Sequence, residues 1–395
     1  MKTSTVISVS AVFLVAAAFA FQKSVKLPPP FHSPSSNNPP RVISRPDGAQ
    51  LRLPAGFDID EYADGFERPR FMLQGPSGEI LLSDSVEGGS VYALLDKNKD
   101  FKADERKVLL RGLDRPYGLA FWKEYLYVAE TTSLKRYKYD RKTMTAGRGE
   151  DVVSMKDFGA GHWTRTVLFD RKGEKMYVGV GSRSNVSPGE PERRAAISRY
   201  NPDGSGYELF ASGTRNPIGL CWYPGTDTLW AAVQERDALG DDLVPDYFTT
   251  IQQGGFYGWP FAYIGPNEDP RNKGQRPDLV KKTIVPDVPL QSHVAVLDCL
   301  FYTGNQFPAE YRGGAFLAFH GSWNRSKRVG YSVTFLPYKD GKPSGPVQDF
   351  LTGWMLAPDK REVWGRPVGL LELPDGSLLV SDDGGNKVWR ISYKG

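Results

Sequence analysis

Residues 213–260 read GTRNPIGLCWYPGTDTLWAAVQERDALGDDLVPDYFTTIQQGGFYGWP. An Arg-Asn-Pro turn opens the stretch, and two apolar runs follow with a Pro-Gly-Thr-Asp turn between them. A Glu-Arg-Asp-x-x-Gly-Asp-Asp cluster and a Gly/aromatic corner close it. Short apolar runs joined by turn residues predict a β-hairpin. The same unit recurs as RPRFMLQGPSGEILLSD from Arg68, RPYGLAFWKEYLYVAE from Arg115, TRTVLFDRKGEKMYVGVG from Thr164, LDCLFYTGNQFPAEYRGGAFLAFHG from Leu297 and RPVGLLELPDGSLLVSDD from Arg366. Counting the copy from Asn216, there are six, about 50 residues apart until residues 265–289 intervene before the fifth.

Further strand-like segments follow most copies, so each repeat predicts a small sheet of four strands. One such sheet cannot bury both faces, whereas six stacked around an axis can. The predicted fold is all-β, a six-bladed β-propeller over residues 50–395. Residues 51–63 are placed to pair with the last blade and close the ring, removing an exposed edge. A pair of sandwiches would not explain six equivalent copies.

Ahead of the repeats, residues 1–20 carry Lys2, an apolar run and Ala18-Phe19-Ala20. This pattern reads as a secretory signal peptide, with an uncleaved anchor as the other reading. Residues 21–49 are rich in Pro, Ser and Asn and read as a linker or tether. The chain is thus expected in the periplasm or secreted, with no membrane span after signal cleavage. Fifty Lys and Arg against 46 Asp and Glu leave a net charge of +4 with no basic concentration, which argues against a nucleic-acid partner. Cys221 and Cys299 fall one step apart in the repeat and are expected to face opposite ways as two separate buried thiols. No G-x-G-x-x-G follows a strand, which disfavours NAD, and no C-x-x-C-H is present for haem, so electrons must pass to an external acceptor.

In a propeller the loops approaching the innermost strands converge at one end of the axis. Those loops carry His162, Arg215, Asn216, His293 and Arg366, and the ends of the second strands add residues 235–237 and 320–325. A mouth rich in Arg and His suits an anionic, planar, oxygen-rich ligand, because guanidinium forks grip carboxylates at two points.

GTRNPIGLCWYPGTDTLWAAVQERDALGDDL, GGFYGWP, AFHGSWNRSKRVGYSV and GRPVGLLELPDGSLLVSDDGGNKVWRI together resemble the glucose/sorbosone dehydrogenase family, especially its sorbosone-dehydrogenase-like branch. The resemblance covers most of the chain beyond the linker. It implies a six-bladed propeller that oxidises an aldose or sugar aldehyde, with pyrroloquinoline quinone (PQQ) and Ca2+ as cofactors. His162 in GAGHWTRTVLF matches the family's catalytic histidine, a general base. Arg215 and Asn216 match its quinone-contacting pair, and Arg215 would also stabilise charge in catalysis. Arg366 matches an arginine for the cofactor's carboxylates. For the fifth-blade contact the candidate is Arg325, with Lys327 or Arg328 as alternatives. His320 and Trp323 stand on the same wall, as cofactor contacts or as packing. The family's metal-binding main-chain carbonyls fall near Asp237 and Ala238, while Asp241 and Asp242 read as local caps or pairs.

A second acidic stretch, residues 96–104, has oxygen side chains at alternate positions, but Phe101 replaces the glycine of a calcium loop, so it reads as a surface turn. The insertion at residues 265–289 is expected to overhang the mouth and help select the sugar substrate. Two other functions remain open from sequence, a calcium-dependent lactonase or esterase and a non-catalytic carbohydrate-binding propeller.

Overall fold

The computed structural model describes residues 26–395, so the signal-peptide reading of residues 1–20 lies outside the described residues. Six mainly antiparallel sheets surround one axis in the order of the six sequence repeats, five of them four-stranded and the third extended by Gly255–Phe256, which pairs in parallel. Blade one begins at Pro69–Gln74, blade two at Leu119–Trp122, blade three at Arg165–Phe169, blade four at Asn216–Trp222, blade five at Val296–Phe301 and blade six at Pro367–Glu372. Ring closure follows the expectation: Phe57–Asp64 pairs with Lys387–Tyr393 and becomes the outermost strand of blade six.

The second strand of each blade explains why the repeats read as apolar runs and not as clean alternation. Ile80–Asp84, Met176–Val180, Ala315–Phe319 and Leu378–Asp382 are buried along their whole length, because both faces of a blade meet neighbours. Six apolar clusters fill the gaps between consecutive blades. A seventh fills the axis, where Phe71, Tyr117, Trp163, Ile218, Leu297 and Val368 contribute one side chain per blade. That plug turns the mouth into a well with a floor.

Two expectations are corrected. Cys221 and Cys299 form a disulfide, with Cα atoms 6.2 Å apart. They do point to opposite faces of their own blades, but opposite faces of consecutive blades are the ones that meet, as the shared cluster of Cys299 and Cys221 shows. The supposed tether is also bound to the ring. Arg41–Val42 pairs in parallel with Glu362–Val363, and Phe31 and Asn38 donate backbone hydrogen bonds to Leu239 and Trp323. No helix among the described residues is long and apolar enough to cross a membrane.

Candidate active site

The well at the mouth has a cavity of about 350 Å³ between the loops of blades three, four and five. That size suits a small cofactor or substrate. His162 comes from the loop approaching blade three, and its Nδ1 lies 2.8 Å from the Ser182 carbonyl. A carbonyl only accepts, so Nδ1 carries the proton and Nε2 keeps a lone pair. Burial, reinforced by the charge of Arg215, lowers this imidazole to about 3, so it stays neutral. Gly181 lets the ring sit there: a methyl group on it would meet His162 Cβ at 2.7 Å and run into the Asn216 amide.

Arg215 lines the same cavity but is heavily committed. Its Nε donates to Asn185 O at 3.1 Å, Nη1 to Glu235 O at 2.6 Å, and Nη2 to Asn185 Oδ1 at 3.1 Å and Asp237 Oδ2 at 3.0 Å. A guanidinium has five N–H groups, so one on Nη1 is left for a ligand. Asp237 is engaged in turn: its carbonyl accepts from Asn185 at 3.0 Å and its Oδ1 from Asn324 at 2.6 Å. Beneath them Glu235 is buried with Oε1 unpartnered, and Asp246 accepts N–H groups from Glu235 at 2.9 Å and Ala295 at 2.7 Å. Burial pushes Glu235 up to about 8 and Asp246 up to about 7.

The structure therefore brings His162, Arg215, Asp237 and the half-exposed Trp323 to one cavity. Asn216 lies behind the wall, buried, with its amide donating to Gln234. Ala238 turns away in the left-handed region at φ 69° and does not line the cavity. Arg325 reaches outward to Asp241 O and Asp242. His320 and Arg366 belong to a second polar cluster around Asp383, next to the cavity wall through the bond from His320 N–H to Ala295 O. Burial, with Arg366 adding to it, lowers His320 to about 3. Burial alone would raise Asp383, but the His320 ring and the Arg70 guanidinium hold it well below the usual carboxylate range.

Sequence reading missed three residues. Asn185 is the hub that ties Arg215, Asp237 and Trp259 together. It follows the second strand of blade three, the position that drew attention to blades four and five. Arg183 lies on the rim with a guanidinium that makes no bond among the described residues, and Arg70 packs over Trp163 at 5.0 Å. The insertion lines none of the cavity: Asp269 pairs with Arg236, and Asn272 donates to Val186 O, bracing the wall from behind. Asp241, read as a local cap or pair, instead accepts from Ser326 in the loop of blade five, 85 residues away. Residues 96–104 spend their carboxylates on their own turn, Asp96 on Phe101 N–H and Asp104 on Lys97 N–H. Among the described residues, no three His, Cys, Asp or Glu side chains are grouped for a metal ion.

A six-bladed ring with a floored, polar, arginine-rimmed well between three of its blades is a propeller with room for a small molecule at its mouth. The chain belongs to the TrAA12-like family, whose model matches residues 51–246 and 268–394. It is 30% identical over 365 residues to an uncharacterised protein of Borreliella burgdorferi, covering 87% of this chain and 91% of that one. It is 25% identical over 407 residues to a pyrroloquinoline quinone-dependent pyranose dehydrogenase of Coprinopsis cinerea, covering 87% of this chain but 54% of that protein, about half its length. Among solved structures, the calcium structure of a Trichoderma reesei family AA12 enzyme has a TM-score of 0.76 at 20% identity, covering 89% of this chain and 98% of that one. The holo form of the PQQ domain of the Coprinopsis cinerea pyranose dehydrogenase has a TM-score of 0.74 at 22% identity, covering 90% and 99%. At those identities the structural likeness speaks for the fold alone.

Proposed function

We propose that the chain is a PQQ-dependent oxidoreductase acting on an aldose or sugar aldehyde, with His162 as the general base. The observation that carries this reading is the His162 ring, neutral, locked by Ser182 and set in the cavity with Nε2 unpaired. Membership of the TrAA12-like family and the quinone named for the Coprinopsis cinerea relative support the cofactor.

The residues present fit such a group. An anionic, flat heterocycle would meet cationic Arg215 and Arg183 and the indoles of Trp163 and Trp323. Arg70, His320 and Arg366 do not line the cavity, being held in the neighbouring cluster around Asp383, so the carboxylate contact expected of Arg366 is not part of this fit. The quinone, when bound, supplies the two-electron acceptor. His162 Nε2 takes the hydroxyl proton from the sugar carbon being oxidised, and its Nδ1–H bond to Ser182 keeps the ring aimed while the proton is held. Arg215 places positive charge beside the reacting oxygens. Calcium is the finer part of the reading, read from sequence near Asp237 and Ala238, and the cavity lends it less support. Asp237 already accepts hydrogen bonds on its carbonyl and on both carboxylate oxygens, Ala238 lies outside the lining, and Glu235 Oε1 is the buried oxygen still lacking a partner. Residues 1–20 favour an exported protein.

The test is titration of the purified protein with PQQ, with and without calcium, followed by dye-coupled assay on a panel of aldoses. His162→Ala should keep quinone uptake and lose roughly 10²–10⁴ in kcat. Unchanged turnover would remove His162 from its role. Lactone hydrolysis without quinone uptake would favour the lactonase reading, and sugar binding with neither activity the binding module.

A further inference from the structure

We propose that residues 31–39 are a positioning strap for the reaction site, fixing from outside the ring the two loops that carry Asp237, Trp323 and Asn324. Loops at a propeller mouth have no ladder partners of their own and open easily unless something else binds their backbone. Here that partner comes from far away in sequence. Phe31 N–H donates to Leu239 O at 2.9 Å, and Ser33 Oγ accepts from Asp241 N–H at 2.8 Å, both within four residues of Asp237. Asn38 N–H donates to Trp323 O at 2.8 Å, while its side-chain amide donates to Arg325 O at 3.0 Å and Ser326 O at 3.1 Å.

The strap is held down by a buried cation. Arg328, 1% exposed, gives Nη1 to Asn38 O at 2.6 Å and Nη2 to Asn38 Oδ1 at 2.7 Å. Asp241 then closes the circuit between the two loops, accepting from Ser326 N–H at 2.9 Å and, through its carbonyl, from Arg325. Phe31 itself is 60% exposed, so little of the strap's hold comes from burying apolar surface. Its bonds converge on the loops beside the cavity, and Asn38 is the residue that makes most of them.

The kinetic arm of the test rests on the sugar dehydrogenase reading, and the exchange arm does not. Asn38→Ala combined with Ser33→Ala is compared with wild type and with Arg41→Ala, which removes an exposed ion pair to Glu362 further along the segment. Deuterium uptake in peptides over residues 237–242 and 322–328 should rise in the double variant and not in the control, with blades one and two unchanged. The sugar KM should rise about tenfold with kcat held within about threefold. Unaltered uptake in both peptides, or uptake raised equally in every blade, overturns the strap. If the double variant does not fold, Asn38→Asp serves: it keeps the oxygen facing Arg328 and loses the amide donors, so the same peptides should loosen. A wild type that takes up no PQQ defeats the proposed function while the exchange result still decides the strap.

Discussion

Two ring nitrogens on one side chain decide what His162 can do. Because Nδ1 is spent on Ser182 and the ring is lowered to about 3, kcat/KM measured from about pH 7 downward should show no acid limb near the ordinary histidine value of about 6.5. A limb there would mean that the ring takes up a proton as an exposed histidine does. Gly181 makes a second prediction at this scale, since a methyl group on it would collide with Asn216 and press on His162. Gly181→Ala should cost about 1–3 kcal/mol of stability in urea and, under the proposed function, lower kcat by displacing His162. His162, Arg215, Asp237 and Trp323 could be read from the sequence because they flank strands whose ends must meet at the axis. Asn185 follows such a strand too, but an asparagine in a Ser-rich loop carries no charge or periodicity to single it out, and its worth lies in partners 30 and 52 residues away.

The strands were legible for a physical reason: a blade packed on both faces needs short apolar runs, and hairpins need turn residues between them. Pro374, Asp375 and Gly376, with Gly376 at φ 83°, form such a turn between the first two strands of blade six. What could not be read was how separate elements sit against each other. The alternation argument gave the right faces for Cys221 and Cys299 and the wrong pairing, because it treated two strands of neighbouring blades as one sheet. Their bridge closes a loop of 78 residues between the inner strands of blades four and five. Replacing both by Ser should lower unfolding free energy by about 2–5 kcal/mol, read from urea melts with and without reductant. The segment before the ring and the insertion misled for the opposite reason. Pro- and Ser-rich composition describes a chain without a core of its own, yet such a chain can still lend its backbone to loops that lack partners.

Six clusters between blades and one on the axis make the ring a single closed arrangement, and its buried charges tie its stability to pH. Burial pushes Glu235 up to about 8 and Asp246 and Asp298 up to about 7, against about 4 in an unfolded chain. The folded state then holds protons that the unfolded state has lost, so these groups weaken the fold as pH rises from about 4 to about 8. His162 and His320 act the other way, favouring the fold as pH rises from about 3 to about 6.5. Above about pH 6.5 only the acids contribute, and the melting temperature should fall toward about pH 8.5. Glu235→Gln should flatten that fall, and an unchanged slope would show that Glu235 is ionised throughout. The axial residues Phe71, Tyr117, Trp163, Ile218, Leu297 and Val368 carry one last consequence. A well stopped at the bottom has a single doorway, so in the proposed reaction oxidised sugar would have to leave before an electron acceptor could come as near. The two reactants then take turns, reciprocal rate plots at several acceptor concentrations run parallel, and crowding by excess sugar slows the cycle.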